Sequence, residues 1–450
     1  LAGGLQQEVS TVLQWTLIAA ATLLLTISGE GVAVSAQETG MSRITILEKA
    51  LTPHPYAAQL EKIVLGTMGE GTLWGKFRDP EDGRRYVGHD VCRSCHYGRH
   101  RTWSETKMGR QALTTLGDFK GGLFLDDSRC LSCHTTGYDP GRDNGGFDEG
   151  VEGMADVQCE ACHGAGSLMA ERMSREYIVR TTDADICGRC HSERYGTKLC
   201  LPEHDEWRVS KHGFSLETLR NSPLAEDGCL KCHSADGVTP PSDRTLTLTE
   251  ASHGITCQTC HDPMARTYPD LVDNNQLRRP KMEVCQWCHS AREEVPRGVP
   301  HSPQGEMFTG KGGIEFSGEE YRDGPMNAEI DRGCLTCHSL SDRTVEYPYQ
   351  GHTFMPNIMA CRRCHPDLDG FDRKGVQTGI RRLLMILERK LESYPPGERE
   401  GEYYKIARYN YYFVLKDGSL GIHNSDYARK LLVDSIRFIE RDSSHRSVKP

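Results

Sequence analysis

The sequence predicts a mainly α-helical fold with extensive loops and little β structure, built from duplicated modules and closed by a C-terminal helical segment. Three observations predict it. Eighteen of the nineteen cysteines fall into nine copies of C-x-x-C-H. Most copies follow one another at a period near 28 residues, nested in a longer repeat of 98 to 105. The 450 residues are only 37% hydrophobic and 7% aromatic, with 46 glycines and 21 prolines. A chain so poor in apolar side chains and so rich in loop formers cannot fill a large core by itself. Something other than side chains must supply the missing apolar mass.

The motifs name that material. They are Cys92/Cys95/His96, Cys130/Cys133/His134, Cys159/Cys162/His163, Cys187/Cys190/His191 and Cys229/Cys232/His233. The remaining four are Cys257/Cys260/His261, Cys285/Cys288/His289, Cys334/Cys337/His338 and Cys361/Cys364/His365. Two thiols three positions apart can form thioethers to the two vinyl groups of one haem. The histidine after the second thiol then lies under the iron as proximal ligand. Zinc knuckles, disulfides and redox C-x-x-C pairs need no histidine at that place, and chance would not put one there nine times. The expectation is nine covalently bound haem c groups, with the polypeptide as a thin wrapping around them. Cys200 is left over and reads as a buried or unreactive thiol.

Each iron also needs a distal partner. Nineteen histidines less nine proximal ones leave ten, close to the demand of bis-histidine coordination throughout. His54 and His445 lie outside the motif region, so His89, His100, His204, His212, His253, His301, His352 and His423 are the candidates. A repeated phrase adds one more: Trp207 to Gly213 reads WRVSKHG, and Trp103 to Gly109 reads WSETKMG. Met108 therefore stands where the second copy has His212. Methionine is a competent axial ligand that raises haem potential, although core packing is its commoner use.

The spacing divides the chain. Cys130, Cys159 and Cys187 form one triplet, Cys229, Cys257 and Cys285 a second, and Cys334 and Cys361 repeat its first two members, with RCLSCH, GCLKCH and GCLTCH opening the units. Duplicated haem modules follow. Residues 1–36 form an export signal or N-terminal anchor, and 37–85 an extension. Residues 86–192 form a four-haem module, 193–290 a second repeat with haems 5 to 7, and 291–372 a partial third with haems 8 and 9. In 373–450, Ile380, Leu383, Leu384, Leu387 and Leu391 give a helical stripe that stops at Pro395–Gly397. A second helix spans Tyr403–Leu415, with a turn at Asp417–Gly418. A third, capped by Asn424 or Ser425, faces inward through Leu431, Leu432, Ile436 and Ile439. This tail packs over the last haems or forms an oligomer contact.

Covalent haem attachment implies export. The apolar run Val12–Ile27 followed by Ala33–Ala36 resembles a secretion signal with a small-residue cleavage site, but no Lys or Arg precedes Arg43. The competing reading is an uncleaved membrane anchor, for which the run is short. The protein is expected to be periplasmic or extracellular. The formal charge of −9 is deepened by haem propionates, and no basic tract with interleaved aromatics invites nucleic acid. Expected partners are other redox proteins, as electron donor and acceptor.

The stretch Tyr86–His191, with YVGHDVCRSCH, WSETKMG, CLSCHTTGYDPG and VQCEACHGAGS, resembles the tetrahaem cytochromes c of nitrification. More broadly it is similar to the multihaem superfamily of hydroxylamine oxidoreductase and pentahaem nitrite reductase. SHGITCQTCHDP, HSPQGEMFTGKGG and DGSLGIHNSDYARKLL look like that superfamily's downstream segments, so the likeness covers residues 86–440 in patches. The resemblance implies that His423 is a distal ligand. Met169 and Met264 stand where relatives tend to have histidine, and no C-x-x-C-K catalytic motif occurs. The leading expectation is a nonahaem electron carrier rather than an enzyme. The alternatives are an oxidoreductase acting on a small nitrogen or sulfur compound at a five-coordinate haem, and a polymerising haem filament. Tyr403, Tyr404, Tyr409, Tyr411 and Tyr412 read first as packing residues, and in the enzyme alternative one places a phenol near such a haem.

Overall fold

The computed structural model describes residues 83–118, 124–139, 143–148, 152–192, 202–239, 245–264, 276–280, 282–291, 298–322, 324, 329–330, 333–340 and 351–446. All of them fall in one compact unit, 53–450. The N-terminal apolar run, His54 and Cys200 lie outside the described residues. Among the described residues no helix is long and apolar enough to cross a membrane.

The fold is mainly helical. Its β content among the described residues is two isolated antiparallel bridges, Thr135 with Ala155 and His261 with Leu277. Four helices among the described residues run beyond eight positions: α1 (Lys107–Asp118), α2 (Val376–Ser393), α3 (Glu402–Asp417) and α4 (Ser425–Arg446). Most of the haem motifs themselves are single helical turns, such as Cys159–His163, Cys257–Cys260 and Cys334–His338. Side-chain caps help such short turns form. Asp127 accepts from Arg129 N, Asn357 accepts from Met359 N, and Thr256 and Thr259 make a reciprocal capping box.

Three hydrogen bonds recur from copy to copy and show the duplication in the backbone. The amides of His100, His204 and Gly305 donate to the carbonyls of His96, His191 and His289 at 2.9, 2.9 and 3.0 Å. Three residues further on stand Trp103, Trp207 and Phe308. The Trp103 indole N–H donates to Val157 O at 2.8 Å, and Trp207 donates to Ile255 O at 2.7 Å. Each acceptor lies two residues before a motif cysteine, Cys159 or Cys257. The same two residues donate back, Val157 N to Met108 O at 3.1 Å and Ile255 N to His212 O at 3.2 Å.

The C-terminal helices form a bundle, α2, α3 and α4 packing pairwise. Ile380, Leu384, Leu387 and Leu391 meet Ala407, Tyr411, Val414, Leu431, Leu432 and Ile439 in its core. Leu383 and Ile436 are only half-buried. Asn424 makes the N-cap of α4, its Oδ1 accepting from Tyr427 N at 3.1 Å, and Gly418 closes α3 in the left-handed conformation. The bundle is bolted to residues 304–321. Buried Asn410 pairs with both backbone groups of Ile314 at 2.8 Å, Gly313 N donates to the Tyr427 hydroxyl, and the Tyr409 hydroxyl donates to Gly312 O. The Tyr411 hydroxyl, fully buried, donates to Glu388. Tyr409 and Tyr411 thus hold helices and backbone together.

Candidate haem-binding sites

None of the eighteen motif cysteines is joined in a disulfide. In five motifs the histidine amide donates to the first cysteine's carbonyl at 2.8–2.9 Å: His96, His191, His261, His289 and His365. This i to i+4 turn puts two thiols and one imidazole on one side of the backbone, the arrangement a haem edge requires. The second thiol is drawn into the same turn. The amides of Cys95, Cys288 and Cys364 donate to the carbonyls of Cys92, Cys285 and Cys361 at 3.3, 3.2 and 3.1 Å, and Cys232 lies within the helical turn Leu230–His233.

The imidazoles are aimed as metal ligands. Nδ1 of His134, His163 and His338 meets the carbonyls of Ala112, Val179 and Phe354 at 2.6, 2.8 and 3.0 Å. Nδ1 of His191 meets Glu203 at 3.3 Å, and that of His289 meets Gln304 at 3.4 Å. With Nδ1 so occupied, Nε2 is the nitrogen left for iron. Glu203 and Gln304 were not singled out by sequence. Their signal was there: each follows a proline in the same register, Pro202 and Pro303.

Four proximal histidines face a second imidazole. His289 faces His212, His233 faces His301 and His338 faces His423, all with ring centroids 6.1 Å apart, and His261 faces His352 at 6.3 Å. Two imidazoles gripping one metal through bonds of roughly 2.0 Å, with a ring radius of roughly 1.1 Å, have centroids about 6 Å apart. The gaps therefore fit an iron. Each pair joins one motif histidine to one spare one.

Electrostatics suit the same task, because iron takes neutral imidazole. Burial, with His289, His338 and His233 nearby, pushes His212 down to about 4. Burial also lowers His233, His289, His301 and His338. His423 differs. Burial pulls it down, but Asp417, whose Oδ1 lies 2.5 Å from Nδ1, outweighs that and the net shift is upward. That carboxylate orients the ring so that Nε2 is free to face His338.

The other spare histidines are placed differently. His204 is buried against Gly188, where a Cβ would stand 2.6 Å from its ring, and its Nε2 lies 3.0 Å from Asp185. Burial lowers it, the bonds to Asp185 and Asp205 raise it, and it ends at about 9. His253 is pushed up to about 9 by Asp183 and Asp236. His89 Nδ1 and His100 Nε2 are 2.9 Å apart beside Asp90, a trio close enough to share a metal ion. Met108 is half-buried, as His212 is, while Met169 lies in a short helix and Met264 in a turn.

Neighbouring motifs lie close together: the Cys133 thiol is 3.8 Å from Arg189 O, and the Arg189 guanidinium donates to Ala161 O at 2.9 Å. In the pairs Cys92–Cys159, Cys133–Cys190, Cys187–Cys257 and Cys285–Cys334 the proximity of the two thiols lowers Cys92, Cys133, Cys257 and Cys334 and raises their partners. Cys162 neighbours Cys187 and Cys190, Cys260 neighbours Cys285, and Cys337 neighbours Cys361. His233 lies in the field of His212 and His289. Numbered by motif, the neighbours run 1–3–4–6–7–8–9, with 2 beside 4 and 5 near 7.

The thiols differ in burial. Cys95 and Cys364 are exposed, whereas the other sixteen, Cys232 and Cys288 among them, are half-buried.

Paired thiols, pinned imidazoles and iron-sized gaps on a helical, nearly strandless frame define a multihaem cytochrome c, a haem-binding protein of electron transport. The cytochrome c554 and c-prime family profile matches residues 91–164 and 186–262, and a doubled CXXCH motif profile matches 249–294. The multihaem cytochrome MtrA of Shewanella baltica is 24% identical over 353 residues, spanning 73% of this chain and 92% of that protein. Among solved structures, the outer cell wall cytochrome OcwA superposes with a TM-score of 0.63 at 24% identity, over 79% of this chain and 99% of that one. The undecahaem cytochrome from the S-layer of Carboxydothermus ferrireducens gives 0.56 at 22% identity, over 82% and 71%. At such identities these two likenesses establish the fold.

Proposed function

We propose that the chain carries nine covalent c-type haems and passes electrons along them in an extracytoplasmic respiratory pathway, between a redox-protein donor and acceptor. The observation that carries this reading is the closeness of each of the nine motifs to at least one other, in an unbroken series. Haems attached at neighbouring thiols would lie near one another, which would give an electron entering at any motif a path to every other. His301, His352, His212 and His423 are the distal ligands of haems 5, 6, 7 and 8, which the opposed ring pairs support. Kinship with the hydroxylamine oxidoreductase and pentahaem nitrite reductase superfamily is supported by the ordered phrases of the sequence. Placement outside the cytoplasm is supported by thioether chemistry and by relatives titled for the outer cell wall and the S-layer. The test is stoichiometry: the intact mass of the mature protein should exceed the polypeptide by nine haems. A fully matured sample holding fewer refutes the reading.

A further inference from the structure

His212 shows what the Trp-x-x-x-Lys-His-Gly loop does. Its carbonyl is tied to Ile255, its neighbour Trp207 is tied to the same residue, and its ring is delivered to His289. Four anchors of that loop have a counterpart one copy earlier. Trp103 and Met108 are tied to Val157 in the same two ways. Thr106 N donates to Trp103 O at 2.9 Å and Ser210 N to Trp207 O at 2.9 Å. Gly109 N then meets the Thr106 hydroxyl, and Gly213 N the Ser210 hydroxyl, at 3.1 and 3.4 Å. Beyond the loop the copies keep step, for Cys159 precedes Cys187 by 28 residues and Cys257 precedes Cys285 by 28. Residue 108 therefore stands to motif 4 as His212 stands to motif 7.

We infer that Met108 is the distal ligand of haem 4, opposite His191, and that haem 4 is a high-potential site at a branch point of the chain. This rests on the multihaem reading. Two spare imidazoles close to motif 4 in the fold are engaged with carboxylates. His204 is bonded to Asp185 on the turn that carries Cys187 itself, and His253 is held between Asp183 and Asp236. A thioether donates less electron density than imidazole and favours ferrous iron, which lifts the potential. The Cys133 thiol of motif 2 lies 3.8 Å from Arg189 O of motif 4, and the Arg189 guanidinium donates to Ala161 O of motif 3 at 2.9 Å, so the first electron entering from either direction settles there.

The test uses the full haem-loaded protein. The oxidised wild type should show the weak sulfur-to-iron charge-transfer band at the red end of the spectrum, and a reductive titration should bleach it first. Met108→Leu should remove the band and convert one haem to high spin. Met108→His should remove the band, keep every haem low-spin and move one haem down in potential. His212→Met should add a second high-potential haem. A Met108→Leu protein with unchanged spectrum, spin state and titration overturns the assignment, as does a His variant with unshifted potentials. Intact mass separates the two ideas: a low haem count in the wild type defeats the multihaem reading, whereas a full count with inert Met108 variants defeats only this one.

Discussion

Asp417 is the residue through which the C-terminal bundle should set the potential of a haem. Its side chain is fully buried at the end of α3, and Oδ1 lies 2.5 Å from His423 Nδ1. Oδ2 is held by the Ser419 amide at 3.2 Å and by the Ser419 hydroxyl. A carboxylate accepting the Nδ1 proton makes imidazole a stronger donor and favours ferric iron. Asp417→Asn keeps the shape and removes the charge. Loss of an outer partner costs roughly 10–100-fold in metal affinity. Falling on the ferric state, and at about 59 mV per tenfold for one electron, this raises the potential of haem 8 by roughly 60–120 mV. Losing a charge-assisted hydrogen bond also costs roughly 1.5–3 kcal/mol of stability. Spectroelectrochemical titration reads the shift as one haem's share of absorbance moving upward. Asp372→Asn is the control, because that carboxylate binds exposed Thr378 through its amide and hydroxyl. If no component moves upward, or both variants move alike, Asp417 does not act through His423.

Two further outcomes follow from packing. Trp103→Phe and Trp207→Phe each delete one matched indole hydrogen bond, so each should cost about 1 kcal/mol, and the two should agree within about 0.5 kcal/mol by thermal unfolding. Asn410→Leu removes the partner of both backbone groups of Ile314 and should cost roughly 1–3 kcal/mol, read as a lowered Tm with the haem count intact.

What was legible in the sequence was local. A C-x-x-C-H turn carries its chemistry within five residues, so the attachment sites could be read directly. Which thiols stand open to solvent, Cys95 and Cys364, could not, because that depends on how the fold covers each turn. The C-terminal helices were legible from their apolar stripes, and Asn424 from its place before one. The distal pairs were legible only as a count. His301, His352 and His423 follow their partners by 68, 91 and 85 residues, while His212 precedes its partner by 77. No single rule of spacing or direction covers all four; only the fold brings them together. His204 and His253 looked like equal members of the set. Their carboxylates, Asp185, Asp183 and Asp236, are ordinary loop acids in the sequence, and nothing local says that they converge on those rings.

The C-terminal helices pack against the third repeat. Its loop reaches Gly305, Phe308 and Gly312, in the register of His204, Trp207 and the His212 region, but no third motif follows Cys361 to complete the triplet. Nor does the loop carry an imidazole or thioether there. What meets it is protein. A Cβ on Gly312 would lie 2.8 Å from Glu306 and 3.3 Å from Phe413, and one on Gly313 would lie 2.5 Å from Leu431. Side chains of α3 and α4 thus occupy the face where an earlier copy uses its loop to approach the next haem motif. Lys430 and Arg437 of the bundle pair with Glu319 on its rim, and His423 is directed at His338 beneath. The bundle therefore fills with side chains the face that the third repeat presents, and supplies one imidazole to the motif below it.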